Sequence, residues 1–588
     1  KKKKISIGLL TLIGLATISL SSCSTDNNYD FDEIDTTIGI GGDELVIPTS
    51  STDIIKLSDV LELEENGSVV EDAVSHDYVF RQTGADVAAA HPMIDKIVIS
   101  KQSSTSNSIT LNFNSASGVK GKRAASTTIS AEGNVEAFEY VGNKPDDVVS
   151  LSSVDVESKV NINVVFPTGL SSIISTFDNI TVALPEFMTI EGVSSNCSFT
   201  QTGSKLSFNN VSASNNLSIE ANITKLDFNA TDTSLGNIQI TSDGKIKLNG
   251  NVHLAVSTSN INFAGVSSIP ENVEITSSMT LGEFTVNGAT GKFSPSIELS
   301  NLGEVNITGI PDFLTGGNVV VDLYNPQITL SLTSDTEVAG LIDGTITSVK
   351  DGQTLATIYV NDIPVNPNAT TNVLICRRGE SIGIYDKIIV NDNLSDLIKT
   401  IPDKITFTAT ASADATKECY FELGKQYTIK PAYSVDAPIA FAENANIEYK
   451  DTLDGFNDDI EDFELAEGAY LSLTANITSC VPAYLSVDAT PIDINGNALS
   501  SSDLAVEVTG EIAASADGVT ETVSPIEIKI TQNSEDALDK LDGILLTVSG
   551  KASSGNGSVT GITLNAERHT LVAKDITIKI VGKVIGNF

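Results

Sequence analysis

The chain has no Trp, three Met, four His and five Cys in 588 residues. Without Trp it lacks the aromatic platform that many sugar-binding surfaces use. The histidines, His76, His91, His253 and His569, are scattered, and none stands at metal-ligand spacing from another, which leaves little for a zinc site or for acid-base catalysis near neutral pH. Basic residues are scarce as well. Lys and Arg number 35 against 76 Asp and Glu, a net charge of −41, and a phosphate backbone is held by surplus positive charge, so nucleic acid is excluded as a partner. Long helical patterns are also missing, and a parallel α/β fold needs them between its strands.

Apolar residues make up 40% of the chain, too many for a disordered acidic polymer, and the length suggests about three to five domains. The dominant pattern is period two. In Val160-Asn161-Ile162-Asn163-Val164 alternate apolar residues line one face of a sheet. The same alternation runs through Ile238 and Ile240, through Ile246 and Leu248, and through Val252, Leu254 and Val256. Ser242-Asp243-Gly244 and Asn249-Gly250-Asn251 stand between these runs and supply turn residues, so an antiparallel meander is predicted. His253 alternates with Val252 and Leu254 and should face solvent. Short helical turns are expected at Ser171 to Phe177, at Asp396 to Lys399 and at Ser534 to Leu541, the last with Ser534 as cap.

A five-residue motif recurs: Leu184-Pro185-Glu186-Phe187-Met188, Ile269-Pro270-Glu271-Asn272-Val273, Ile310-Pro311-Asp312-Phe313-Leu314 and Ile401-Pro402-Asp403-Lys404-Ile405. Pro lacks a ladder donor and suits a strand entry. The fold expected is all-β, tandem antiparallel β-sandwich-like domains with few short helices. Its divisions are a signal peptide over 1–22, an acidic tether over 23–44, a β domain over 45–235, a meander over 236–310, and sandwich modules over 311–405 and 406–588.

The first residues carry an address. Lys1 to Lys4 precede an uncharged, mostly apolar run from Ile5 to Leu20, then Ser21, Ser22 and Cys23, the order of a signal peptide. Leu20-Ser21-Ser22-Cys23 resembles the lipobox of bacterial lipoproteins, and this resemblance implies that Cys23 is acylated and becomes the mature N-terminus. Ser24 to Glu33 is acidic and free of Lys and Arg, similar to the surface-export signal of Bacteroidota lipoproteins. Together with Leu45-Val46-Ile47-Pro48, the Ile310 motif and the closing strand Ile576 to Val581, these features resemble the large surface lipoproteins of gut Bacteroidota. The resemblance implies location and architecture, an outer-membrane lipid anchor facing the cell exterior. It carries no activity.

Several motifs could bear chemistry. Gly379-Glu380-Ser381-Ile382-Gly383 matches the nucleophile elbow, but the residues after it read as strand where the elbow needs a helix, so a polar hairpin turn is expected and no catalytic residue is assigned. Cys197, Cys376, Cys419 and Cys480 form no Cys-x-x-Cys pair and read as buried free thiols. Carboxylates cluster at Asp451, Asp454, Asp458, Asp459 and Asp462, candidates for calcium, although they lack the EF-hand order and read first as a solvated loop. No other cofactor is expected. Thr36 and Thr452, each after Asp, resemble the O-glycosylation acceptor of Bacteroidota. Two functions fit: a non-enzymatic surface coat, adhesin or accessory protein, whose expected partners are its own copies or an outer-membrane barrel, and a lipoprotein that captures a glycan, peptide or lipid for a transporter. A deep pocket within a module would separate them.

Overall fold

The computed structural model describes residues 37–587 except 41–43, 49–50, 62, 66, 85–86, 100–104, 114–127, 265, 267–268, 300, 380–382, 455–462, 466–467, 535–536 and 583. The described chain is almost entirely antiparallel β. Its single α-helix is Leu57–Val60, and 3-10 turns occur at Leu170–Ser172, Asp312–Leu314, Leu394–Leu397 and Leu538–Lys540. The turn at Leu538–Lys540 stands where a capped helix was expected; the Ser534 hydroxyl donates to Asp503 instead of capping a helix.

The strands form three sandwich-like lobes. In the first lobe one sheet contains Thr176–Ala183, Lys205–Ser212 and Lys245–Thr258, and the facing sheet contains Val148–Val165, Leu217–Asp227 and Asn272–Leu281. The middle lobe packs a sheet with Gly340–Lys350 and Lys404–Ala413 against one with Gln327–Ser334 and Ile429–Pro438. The C-terminal lobe packs a sheet built on Thr570–Val581, Tyr470–Ser479 and Thr522–Gln532 against the three strands Asn446–Asp454, Gly543–Lys551 and Tyr484–Ile492.

Pairing departs from sequence order at several places. Strand Lys404–Ala413 runs across the expected boundary at 405, and the meander segment over 236–310 gives strands to both sheets of the first lobe. The N-terminal strands do not join the first lobe at all. Glu44–Pro48 pairs with Thr570–Val581, Thr37–Ile40 pairs with Val584–Asn587, and Thr52 donates its N–H to Ala573 O at 3.0 Å. The described N-terminal end of the chain is thus an edge of the C-terminal lobe.

The meander itself has one turn where two were predicted. Gly236–Ile240 and Lys245–Thr258 form a hairpin through Gly244, whose φ of 73° suits glycine. At Asn249-Gly250-Asn251 the strand continues, and the register against the strand Ile129–Asn143 shifts between Gly250 and Asn251. The extra residue is Ala137 on the partner strand, so the glycine lies opposite a bulge. The recurring Pro motif is likewise displaced from the strand. Pro185, Pro270 and Pro402 stand two or three residues ahead of strands that begin at Met188, Asn272 and Lys404, while Pro311 opens the 3-10 turn Asp312–Leu314.

Candidate functional site

In the C-terminal lobe strand alternation brings Ile447 and Tyr449, Leu546 and Val548, and Leu485 and Val487 to the inner face of the three-stranded sheet. Tyr449, Val548 and Val487 lie in one cross-strand row, and Ile447, Gly550 and Leu485 in the next. The opposite wall carries Ile477 paired with Ala573. Facing sheets stand about 10 Å apart, and that gap is filled only when large residues interdigitate with small ones. Here Val548 and Gly550 face a wall that includes Ala573. The result is an apolar cavity of about 170 Å³ between the sheets.

One end of the cavity is closed by the N-terminal segment, with Ile55, Leu57 and Leu61 in the lining. This segment is strapped down by Leu57 N–H to His569 O at 2.9 Å and Ser58 N–H to Ala566 O at 3.1 Å, with an ion pair between Lys56 and Glu567 outside. Phe313 of the middle lobe also reaches the lining.

The polar side chains in the lining are Lys56, Tyr449, Asp451 and His569. His569 is fully buried. Its Nδ1 accepts the backbone N–H of Asn565 at 3.0 Å, in a loop that Asn565 also ties to Ser75 O and Asp77 Oδ1, both at 2.8 Å. Burial, reinforced by the neighbouring Arg568 charge, pushes the imidazole pKa down to about 4, so it is neutral at pH 7. The hydrogen-bond network then assigns the proton to Nε2, because Nδ1 is an acceptor. Nε2 has no hydrogen-bond partner among the described residues. Nε2 is itself covered and faces Gly518, where an added Cβ would stand 2.8 Å from it, and Gly518 is not among the residues that line the cavity; the φ of +68° at this position also favours glycine.

A smaller cavity of about 50 Å³ lies in the middle lobe between Ile346, Phe407 and Tyr433, and the buried Tyr433 hydroxyl lacks a partner among the described residues. Beside it a buried ion pair ties the lobe together. Arg377 Nη1 donates to Asp322 Oδ1 at 2.7 Å, and the Ser395 hydroxyl donates to the same oxygen at 2.8 Å.

The structure separates most of the residues that the sequence singled out. Glu380, Ser381 and Ile382 lie outside the described residues, as do Cys23, Thr36, Asp458, Asp459 and Asp462. The strands flanking the Gly379 motif, Ala369–Cys376 and Lys387–Val390, pair in parallel, so the segment between them is not the expected hairpin turn. Asp451 and Asp454 sit on one strand three residues apart, which puts them on opposite faces, Asp451 toward the cavity and Asp454 exposed; these two do not converge on an ion. Among the described residues no three His, Cys, Asp or Glu side chains gather into a metal-binding group. Thr452 is exposed on the same strand. Cys376 and Cys480 are buried free thiols, whereas Cys197 and Cys419 are free and only half-buried; desolvation first, then the charges of Glu337 and Glu418, push the Cys419 thiol up to about 11. His253 bonds Asn134 Oδ1 through Nδ1 at 2.9 Å on the outer face of its sheet, between buried Val252 and Leu254. The cavity and His569's place beside it were not found from the sequence, which offers no signal for which small residues face one another across two sheets.

No protein-family model matches the chain, and no curated relative is detected. Among solved structures, a protein assigned as secreted from Parabacteroides distasonis aligns at 14% identity over 50% of this chain and 90% of its own, with a TM-score of 0.34. A triple jelly-roll structure linked to the turret assembly of an archaeal virus aligns at 11% identity over 77% of this chain and 85% of its own, with a TM-score of 0.12. Likenesses this distant carry no argument about fold or function.

Proposed function

We propose that the chain is a non-enzymatic lipoprotein of the cell surface, anchored to the outer membrane through Cys23, that captures an apolar ligand in its C-terminal lobe. The single observation behind capture is the cavity of about 170 Å³ between Val548 and Ala573, enclosed by two sheets and the N-terminal strap. An engineered protein cavity of about 150 Å³ is large enough to bind benzene. A void of this size also costs stability, about 4 kcal/mol at roughly 24 cal/mol per Å³, a penalty that an occupant offsets. Of the two functions read from the sequence, capture of a lipid-like ligand gains from this geometry, and glycan capture does not.

In this reading Cys23 precedes strand Thr37–Ile40, which pairs with Val584–Asn587 at the other end of the chain, by a short tether, and the lobe with the cavity is carried near the lipid. Anchoring is tested by Cys23→Ala, which should release the protein from the outer-membrane fraction; monomeric mutant protein still firmly in that fraction would refute it. Capture is tested by titrating toluene into the full chain in a calorimeter. Saturable one-to-one binding that Val548→Phe abolishes supports capture, and absence of binding, or binding untouched by Val548→Phe, refutes it.

A further inference from the structure

The walls of the cavity are not equally firm. Tyr470–Ser479 is paired along its whole length with Thr522–Gln532, from Tyr470 opposite Thr531 to Ser479 opposite Thr522, and Asn446–Asp454 is paired in the same way with Gly543–Lys551. Phe313 is buried in the core of the middle lobe. The strap is held far less. Among its described residues Ile55 and Lys56 alone pair with the sheet, opposite Leu571 and Thr570, and the other backbone donors to the lobe are Thr52 to Ala573 O, Leu57 to His569 O and Ser58 to Ala566 O. The ion pair of Lys56 with Glu567 is exposed on the outside and adds little. Ile55, Leu57 and Val60 line the cavity and are only half-buried, and Ile54 is 65% exposed, so a single layer of chain separates the cavity from water.

The strap is pinned at both ends. Glu44–Pro48 pairs with Thr570–Val581 ahead of it, and Leu61 is buried in the middle-lobe core behind it. A segment fixed at its ends and lightly held between them opens locally, at a fraction of the free energy that unfolding the lobe requires. We propose that residues 52–58 are the gate of the cavity: they lift from residues 570–573 as a loop, admit a neutral apolar ligand, and close over it by returning Ile55 and Leu57 to the lining. This rests on the capture reading and adds the route by which the ligand enters and leaves.

The gate can be locked. Leu57 N–H donates to His569 O, so the adjacent antiparallel pair, Lys56 and Thr570, is of the non-hydrogen-bonded kind, with Cα atoms about 4.5 Å apart and within reach of a disulfide. The full chain carrying Lys56→Cys and Thr570→Cys is titrated with fluorobenzene, and exchange between free and bound ligand is followed by ¹⁹F NMR with the disulfide formed and after its reduction. Both forms lack Lys56, so the comparison isolates the lock. Exchange should be at least about tenfold slower in the oxidised form, with Kd the same within about twofold. Equal exchange rates in the two forms while fluorobenzene binds would overturn the gate and leave capture standing. Absence of fluorobenzene binding to the wild-type chain would overturn capture, and the gate with it. Hydrogen exchange of the wild-type chain gives a second reading that needs neither variant nor ligand. The Leu57 and Ser58 amides should exchange at least about a hundredfold faster than those of Leu473 and Ile477 in the sheet. A common rate would mean that the strap opens only when the whole lobe does, and would overturn the gate.

Discussion

The first and C-terminal lobes are built alike, two antiparallel sheets face to face, and they fill the space between the sheets differently. In the first lobe aromatic rings fill the core: Phe166, at the end of one sheet's strand, stacks on Phe177 of the facing sheet at 4.9 Å, while Phe421 packs against Phe293 of the neighbouring strand at 5.5 Å and against Tyr427 at 4.8 Å. The main core cluster of the C-terminal lobe, with Leu473, Ile477, Leu485, Ile512 and Ala573 among its members, contains no aromatic residue. Among the described residues Tyr449 is the one aromatic side chain on the inner face of the three-stranded wall, and where Gly550 and Ala573 coincide the surrounding Val, Ile and Leu side chains do not close a gap of about 10 Å. The same architecture therefore gives a filled core at one end and a cavity at the other.

That contrast can be broken by substitution. Phe177→Ala in the first lobe should cost about 3–5 kcal/mol, because it opens a void where the structure is full. Val548→Phe in the C-terminal lobe adds volume to a space already present and should change stability by less than about 1.5 kcal/mol. Urea denaturation followed lobe by lobe compares them; equal losses would mean that the C-terminal core is as tightly filled as the first. In the middle lobe Arg377→Leu should cost about 3–5 kcal/mol, since it leaves Asp322 buried without its cation. A loss below about 1 kcal/mol would show that the Ser395 hydroxyl and the Asn444 amide, which donates to Asp322 Oδ2 at 3.3 Å, suffice for that carboxylate.

The next effect depends on pH. The His569 pKa is about 4 in the folded lobe and about 6.5 in an unfolded chain, so the unfolded chain takes up the proton first. Stability from this site is complete above about pH 6.5 and falls as the pH drops toward 4, by at most about 3 kcal/mol. The C-terminal lobe of His569→Asn should show a flatter dependence than wild type between pH 7 and 4.5, measured as urea midpoints; parallel curves would contradict the buried neutral imidazole. Smallest of all is the exposed cross-strand pair Lys404 and Glu304 at 2.9 Å, where Glu304→Gln should change stability by less than about 0.5 kcal/mol.

Much of the fold is legible in the sequence because strand alternation is local. Val252, Leu254 and Val256 are buried as their spacing demands, and Gly244 makes the turn its dipeptide signals. Asn249-Gly250-Asn251 carries an equally strong turn signal, yet the strand passes through it, because the long partner strand Ile129–Asn143 supplies pairing on both sides of the bulge. Lobe limits are not legible for a related reason. Thr570–Val581 is bordered by Glu44–Pro48 from the other end of the chain, and no local pattern announces a pairing across more than 500 residues. The candidate site depends on such pairings twice over, since the strap carrying Leu57 and the loop carrying His569 meet only when the two chain ends do.

The central claim is that the C-terminal lobe holds an apolar space ready for a ligand. Crystals of the full chain pressurised with xenon test it most directly, because xenon enters dry apolar cavities. Xenon density between Val548 and Ala573, with none beside Phe177, is the predicted result. A C-terminal lobe closed around that position and free of xenon would contradict the account.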